Sequence, residues 1–133
     1  MKAAGERAAG ARGTPRVLVV EDDDAMRDLL VEELAEAGFQ VQAAANGREG
    51  VERVRREPVD LVITDVNMPN MDGLALVREL RRLPQYRGVP LLMLTTESSA
   101  ERKQEGRAAG ATGWIVKPFD PDRLLATVEK VLS

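Results

Sequence analysis

Six residues have the types and positions to do chemistry together: Glu21, Asp22, Asp65, Asn67, Thr95 and Lys117. Asp65 is central. It ends the apolar run Leu61-Val62-Ile63-Thr64 and opens the turn Asp65-Val66-Asn67-Met68-Pro69-Asn70-Met71-Asp72-Gly73. A strand thus delivers one carboxylate to its own tip, into a loop stopped by Pro69 and Gly73. Glu21 and Asp22 follow the run Val17–Val20, Thr95 follows Leu91–Leu94, and Lys117 follows Gly113–Val116.

Three carboxylates gathered in one place repel one another, by roughly 4 kcal/mol for two charges about 4 Å apart at an effective dielectric of 20. Either one stays protonated or a cation neutralises them. Oxygen ligands select a hard ion, and a site with few protein ligands and room for water and phosphate suits Mg²⁺. Asp22 and Asp65 are expected as direct ligands, Glu21 as direct or through water, and the Asn67 backbone carbonyl as a further ligand. Mg²⁺ and Lys117 would draw a phosphoryl group toward Asp65, whose attack on phosphorus gives an acyl phosphate. Thr95 could donate a hydrogen bond to a phosphoryl oxygen.

Composition narrows the alternatives. The chain has no Cys and no His, so thiol chemistry, Ser-His triads and histidine phosphotransfer within the chain are excluded. A formal charge of −3 argues against a general nucleic-acid binder. No apolar run approaches a membrane span and the N-terminus lacks the apolar centre of a signal peptide, so no membrane insertion is expected and the cytoplasm is the default.

The elements that must position these residues alternate along the chain. Residues 1–15 are rich in Ala, Gly and Arg and read as a disordered N-terminal tail, leaving 16–133 as one folded domain. Short runs apolar on both faces predict strands at Val17–Val20, Leu61–Thr64, Leu91–Leu94 and Gly113–Val116, with a weaker one at Phe39–Ala43. Met26, Leu29, Leu30, Leu34 and Ala37 predict the buried face of a first helix ended by Gly38. Asn46 caps a second with Val51 and Val54 on its apolar face. Leu74, Val77, Leu80 and Leu83 mark a third that ends before Pro84. Leu124, Leu125, Val128, Val131 and Leu132 mark the last. A helix at about Ser99–Ala109 carries no large aliphatic residue and has Gly106 inside it, which suits either a merely solvated helix or a weakly anchored, movable element. Five strands alternating with five helices predict an α/β, doubly wound (βα)5 sandwich with a five-stranded parallel sheet. Ligands in such folds bind beyond the carboxyl ends of the strands, where the polar residues above converge.

The segments Val17–Asp22, Leu61–Gly73, Leu91–Thr95 and Gly113–Phe119 together resemble the receiver domain of two-component response regulators, in particular its stand-alone, CheY-like chemotaxis type. The resemblance runs from about Arg16 to Leu132. It implies the flavodoxin-like/CheY-like strand order 2-1-3-4-5. It implies that Asp65 is the phosphoacceptor for a CheA-like histidine kinase or a small phosphodonor, with Mg²⁺ required. Glu21 and Asp22 would then be the acidic pair, Thr95 the switch hydroxyl, Lys117 the phosphate-binding ammonium and Trp114 the switch aromatic. Lys117-Pro118 would be a cis peptide. Asn67, Thr96 and Glu97 stand where the family tunes dephosphorylation. Glu21 is a longer acid than the common Asp, and Trp114 is bulkier than the usual Tyr or Phe, so its inward swing needs more room.

On this reading the chain is a monomeric phosphoacceptor and not an enzyme, with at most weak self-dephosphorylation. Its output passes through the fourth helix, fifth strand and fifth helix to a phospho-dependent protein target such as a flagellar motor switch. A phosphorelay intermediate or another stand-alone receiver is the alternative. An Asp-nucleophile Mg²⁺ phosphatase is more distant: it would want Asp where Asn67 stands and a later acidic pair. A flavin or nucleotide binder would want a Gly-rich loop where Glu21 and Asp22 stand.

Overall fold

The computed structural model describes residues 13–68, 71–96 and 99–133. Five strands are present: β1 (Arg16–Val20), β2 (Gln40–Ala44), β3 (Leu61–Asp65), β4 (Leu91–Thr95) and β5 (Gly113–Val116). Five helices alternate with them: α1 (Asp24–Glu36), α2 (Gly47–Arg56), α3 (Gly73–Arg81), α4 (Ala100–Ala109) and α5 (Pro121–Leu132). A 3-10 turn, Pro84–Tyr86, lies between α3 and β4. All pairings are parallel and the sheet order is β2-β1-β3-β4-β5. The order reverses between β1 and β3, which opens the crevice at their carboxyl ends.

The strand runs are apolar on both faces because both faces are covered. Leu18, Val20, Val62 and Met93 join Val54, Val77 and Leu80 on the α2–α3 side. Val17, Val19, Ile63 and Leu92 pack with Leu30 and Leu34 of α1 and Leu124 and Val128 of α5 on the other. Every residue of β3 and β4 is buried, as a central parallel strand requires.

Some boundaries and faces differ from the sequence pattern. Leu29 is 42% exposed, so the buried stripe of α1 is narrower than its apolar residues suggest. Ala37 is the C-cap of α1 and exposed, and Gly38 takes a φ of 101°. The Gly38 N–H donates to the Ala35 carbonyl at 3.0 Å and the Phe39 N–H to that of Leu34 at 3.2 Å. This closure of the helix uses Phe39, so β2 begins one residue later, at Gln40. Leu83 lies beyond α3 and leads into the 3-10 turn. The expected N-terminal tail lies, over residues 1–12, outside the described residues.

Candidate functional site

β1 places Glu21 and Asp22 just beyond its last residue. The Glu21 N–H donates to the Ala44 carbonyl at 3.1 Å, holding the chain to β2 for one residue more. Asp23 then caps α1, accepting from the Met26 N–H at 2.8 Å. β3 carries Asp65 opposite Leu94 of β4, and its carboxylate sits in a pocket that leaves the residue 4% exposed. The Thr64 hydroxyl donates to the Asp65 carbonyl at 3.0 Å. The loop from Val66 returns so closely that a β-carbon on Gly73 would overlap the Asp65 carbonyl oxygen and stand 2.9 Å from Val66 Cα. Only glycine fits there.

Lys117 completes the rim. Its N–H donates to the Thr95 carbonyl at 2.8 Å, continuing the β4–β5 ladder, and the Lys117-Pro118 peptide is cis. Its ammonium lies 2.8 Å from Asp65 Oδ1 and 3.1 Å from Glu21 Oε1. Glu21 Oε2 accepts from the Asp23 N–H at 3.2 Å, while the Oε1 contact is an ion pair without hydrogen-bond alignment. Carboxylate oxygens of Glu21, Asp22 and Asp65 all fall within 4.8 Å of one another.

The electrostatics follow from this crowding. Burial pushes the Asp65 carboxyl above its ordinary value; the Lys117 ammonium opposes this without cancelling it, and Asp22 adds to the rise. Burial likewise raises Glu21; the Asp23 N–H and Lys117 oppose the rise, and the Asp65 charge adds to it. Burial pulls Lys117 down, but its two carboxylate partners outweigh it and hold the ammonium above its usual range. A trio of carboxylates sharing one ammonium is short of positive charge. Hard oxygen donors in that state suit a divalent cation, with Asp22, the exposed member, facing solvent.

The other expected residues are placed as follows. Thr95 is buried at the end of β4, one residue past the partner of Asp65. Asn67 and Thr96 are exposed beside the rim. Glu97 lies outside the described residues. Trp114 sits half-buried on β5 opposite Met93, with its ring against Gly106 of α4. Sequence reasoning passed over Arg27, whose guanidinium donates to the Glu21 carbonyl at 2.9 Å and to Asp24 at 2.6 Å. The signal available was the spacing of Asp24 and Arg27 on one helix face.

The chain matches the model of the response regulator receiver domain over residues 17–129 and belongs to that family, whose members are phosphoacceptors. It is a CheY-like receiver. The chemotaxis protein CheY4 of Vibrio cholerae is 47% identical with a TM-score of 0.88, over 90% of this chain and 99% of that one. A putative response regulator from Chloroflexus aurantiacus is 34% identical with a TM-score of 0.85, over 90% and 98%. The transcriptional regulatory protein ZraR of Escherichia coli is 39% identical over 117 residues, 88% of this chain and 26% of ZraR. The DNA-binding regulator RpaA of Synechocystis is 36% identical, over 89% of this chain and 49% of RpaA. The chain thus spans about a quarter to a half of those two curated relatives. Among the described residues no helix is long and apolar enough to cross a membrane.

Proposed function

We propose that this receiver takes a phosphoryl group on Asp65 from a histidine kinase, with Mg²⁺ bound at Glu21, Asp22, Asp65 and the Asn67 carbonyl. The observation that carries this reading is the single ammonium of Lys117 spanning Asp65 and Glu21 inside a trio of carboxylates. In the transfer, an Asp65 oxygen bonds to phosphorus as the donor's P–N bond breaks, or the P–O bond of a small phosphodonor. The leaving imidazole keeps the bonding pair and takes a proton. Mg²⁺, when bound, supplies the positive charge that lets a phosphoryl group approach this acidic rim. Lys117 orients one phosphoryl oxygen and Thr95 hydrogen-bonds another. Asn67, Thr96 and Glu97 tune how soon water removes the group.

The output is a population shift in α4, β5 and α5. Phosphorylation adds charge and acceptor oxygens near Thr95 and Lys117, and favours the state in which both lean toward Asp65. Trp114 and weakly buried α4 carry the change outward. The likeness to CheY4 over nearly the whole of both chains favours a chemotaxis role in the cytoplasm, with a CheA-like kinase and a motor-switch target. The likeness to ZraR and RpaA favours, as a second reading, a receiver whose output is not a motor.

Asp65→Asn abolishes Mg²⁺-dependent labelling by acetyl phosphate on this reading; undiminished labelling would overturn it. Binding of a motor-switch peptide only by the phosphorylated chain separates the chemotaxis role from the second reading.

A further inference from the structure

We propose that Arg27 is a positioning residue for the acidic loop: through the Glu21 carbonyl it sets where Asp22 stands, and so how tightly the rim takes a divalent cation. The inference rests on the reading of that rim as a Mg²⁺ site.

Arg27 lies in the first turn of α1 with its side chain only 20% exposed. One guanidinium nitrogen, Nη1, donates to the Glu21 carbonyl at 2.9 Å, and Nη2 donates to Asp24 Oδ1 at 2.6 Å. The planar fork fixes the direction of both donors at once, which an ammonium on a flexible stem does not do. The Glu21 carbonyl belongs to the peptide plane that also contains the Asp22 nitrogen and Cα. Glu21 is tied at its other end, since its N–H donates to the Ala44 carbonyl at 3.1 Å. With β2 holding one side of Glu21 and Arg27 the other, the direction in which Asp22 leaves β1 is determined. Asp22 is exposed, so packing does not hold it, yet its carboxylate belongs to the trio.

The two cations near the rim therefore have different tasks. Lys117 touches the carboxylate oxygens of Asp65 and Glu21, where a metal and a phosphoryl group must arrive. It has to share them. Arg27 reaches the loop through a backbone carbonyl, and its charge is matched by Asp24, which stands outside the trio. It can hold the loop without competing for a ligand oxygen.

Charge and geometry predict opposite signs, which makes the proposal testable. Removing a cation from beside a metal site tightens metal binding if the charge is what matters; it weakens binding if the loop is being positioned. The measurement is calorimetric titration of the full, unphosphorylated chain with Mg²⁺. Arg27→Met should raise Kd roughly tenfold, the lower end for supporting residues around metal ligands, with Arg27→Lys in between. Acetyl phosphate labelling should show a higher half-saturating Mg²⁺ concentration with a largely retained plateau. An unchanged or lower Kd in Arg27→Met overturns the inference. If circular dichroism shows Arg27→Met unfolded, Arg27→Gln decides by the same criterion. A wild-type chain that binds no Mg²⁺ sinks the metal-site reading and the inference with it; a wild-type chain that binds, with variants that bind equally, sinks the inference alone.

Discussion

The indole of Trp114 rests on the backbone of Gly106. A β-carbon at Gly106 would overlap ring atom Cζ2 and stand 3.1 Å from Cη2 and 3.2 Å from Cε2. Glycine inside a helix costs about 0.5–1 kcal/mol relative to alanine, so a reason is needed for it in α4. The ring supplies one. Trp carries the largest of the natural side chains, and Gly106 removes the side chain that would stand in its way. The same contact helps explain why α4 can be held with only Gly106 and Ala109 buried.

Gly106→Ala should therefore push the ring outward. Trp114 is the only Trp in the chain, so its fluorescence reports this directly. Emission should shift to the red and acrylamide quenching should rise. Stability should change by less than about 1 kcal/mol, because an outward swing avoids the ~1–3 kcal/mol of overpacking while keeping the helix-propensity gain. An unshifted emission with a larger loss of stability would show the ring to be fixed in place.

Arg81 anchors the C-terminal end of α4, one turn beyond Gly106. Its Nε donates to the Gly110 carbonyl at 2.9 Å, and Nη1 donates to the carbonyls of Val89 at 2.8 Å and of Tyr86. Burial pulls this guanidinium below its ordinary value. Its stem also closes against Gly110, where a β-carbon would lie 2.8 Å from Arg81 Cγ. Arg81→Met should cost about 2–4 kcal/mol in urea unfolding, since several carbonyls lose a charged donor together. Hydrogen exchange at Gly110 and Ala111 should accelerate ahead of the rest of the domain. Arg81→Lys should recover less than half of the loss, because a single ammonium cannot reproduce the fork.

Tyr86 is 1% exposed, and its hydroxyl both accepts from the Val59 N–H at 3.1 Å and donates to the Val54 carbonyl at 3.1 Å. It ties the 3-10 turn to the end of α2 and the approach to β3. Tyr86→Phe leaves a buried N–H without its acceptor, and the expected loss is about 1–3 kcal/mol. The rim lies at the opposite end of β3, so labelling of Asp65 should be retained in the folded fraction. A loss of labelling larger than the loss of folded protein would contradict that separation.

The strands were legible because a parallel sheet covered on both faces leaves its mark as continuous apolar runs, and Val17–Val20, Leu61–Thr64 and Leu91–Leu94 are such runs. The rim was legible for a related reason: Glu21, Asp65 and Thr95 stand where those runs stop, as Lys117 does after Gly113–Val116, and parallel strands bring such stops to one edge. Edge strand β2 was less clear, because Gln40 and Gln42 break its apolar pattern and Phe39 closes α1. Of Arg27 only the pairing with Asp24 on one helix face was legible, and Arg81 and Tyr86 could not be read at all. Each acts through backbone carbonyls or N–H groups, and a bond to the main chain leaves no complementary residue type in the sequence to find. Gly106 was visible as an anomaly in a helix, but its reason lies eight positions away on another element.

Asp65 and Glu21 are raised above their ordinary values mainly by burial. The folded chain therefore holds protons that the unfolded chain has already released. Stability must fall as pH rises from the ordinary carboxylate range, about 4, through their raised values. Lys117 is also raised, so the stability it contributes is present below the ordinary lysine range and is lost only as pH rises through its own higher value, at the alkaline end. Asp65→Asn removes one of the crowded carboxylates and leaves Lys117 with Glu21. In metal-free buffer its thermal midpoint should exceed that of the wild type at pH 7, and the difference should shrink on acidification. Lys117→Met should do the reverse, losing stability at neutral pH and regaining it in acid as the two carboxyls protonate. Mg²⁺ at ten times its Kd should stabilise the wild type by about 1.4 kcal/mol and should leave Asp65→Asn, with one ligand oxygen fewer, less affected. If Asp65→Asn is instead the less stable protein at pH 7 without metal, the Lys117 ion pair outweighs the burial of Asp65 and the assigned direction is wrong.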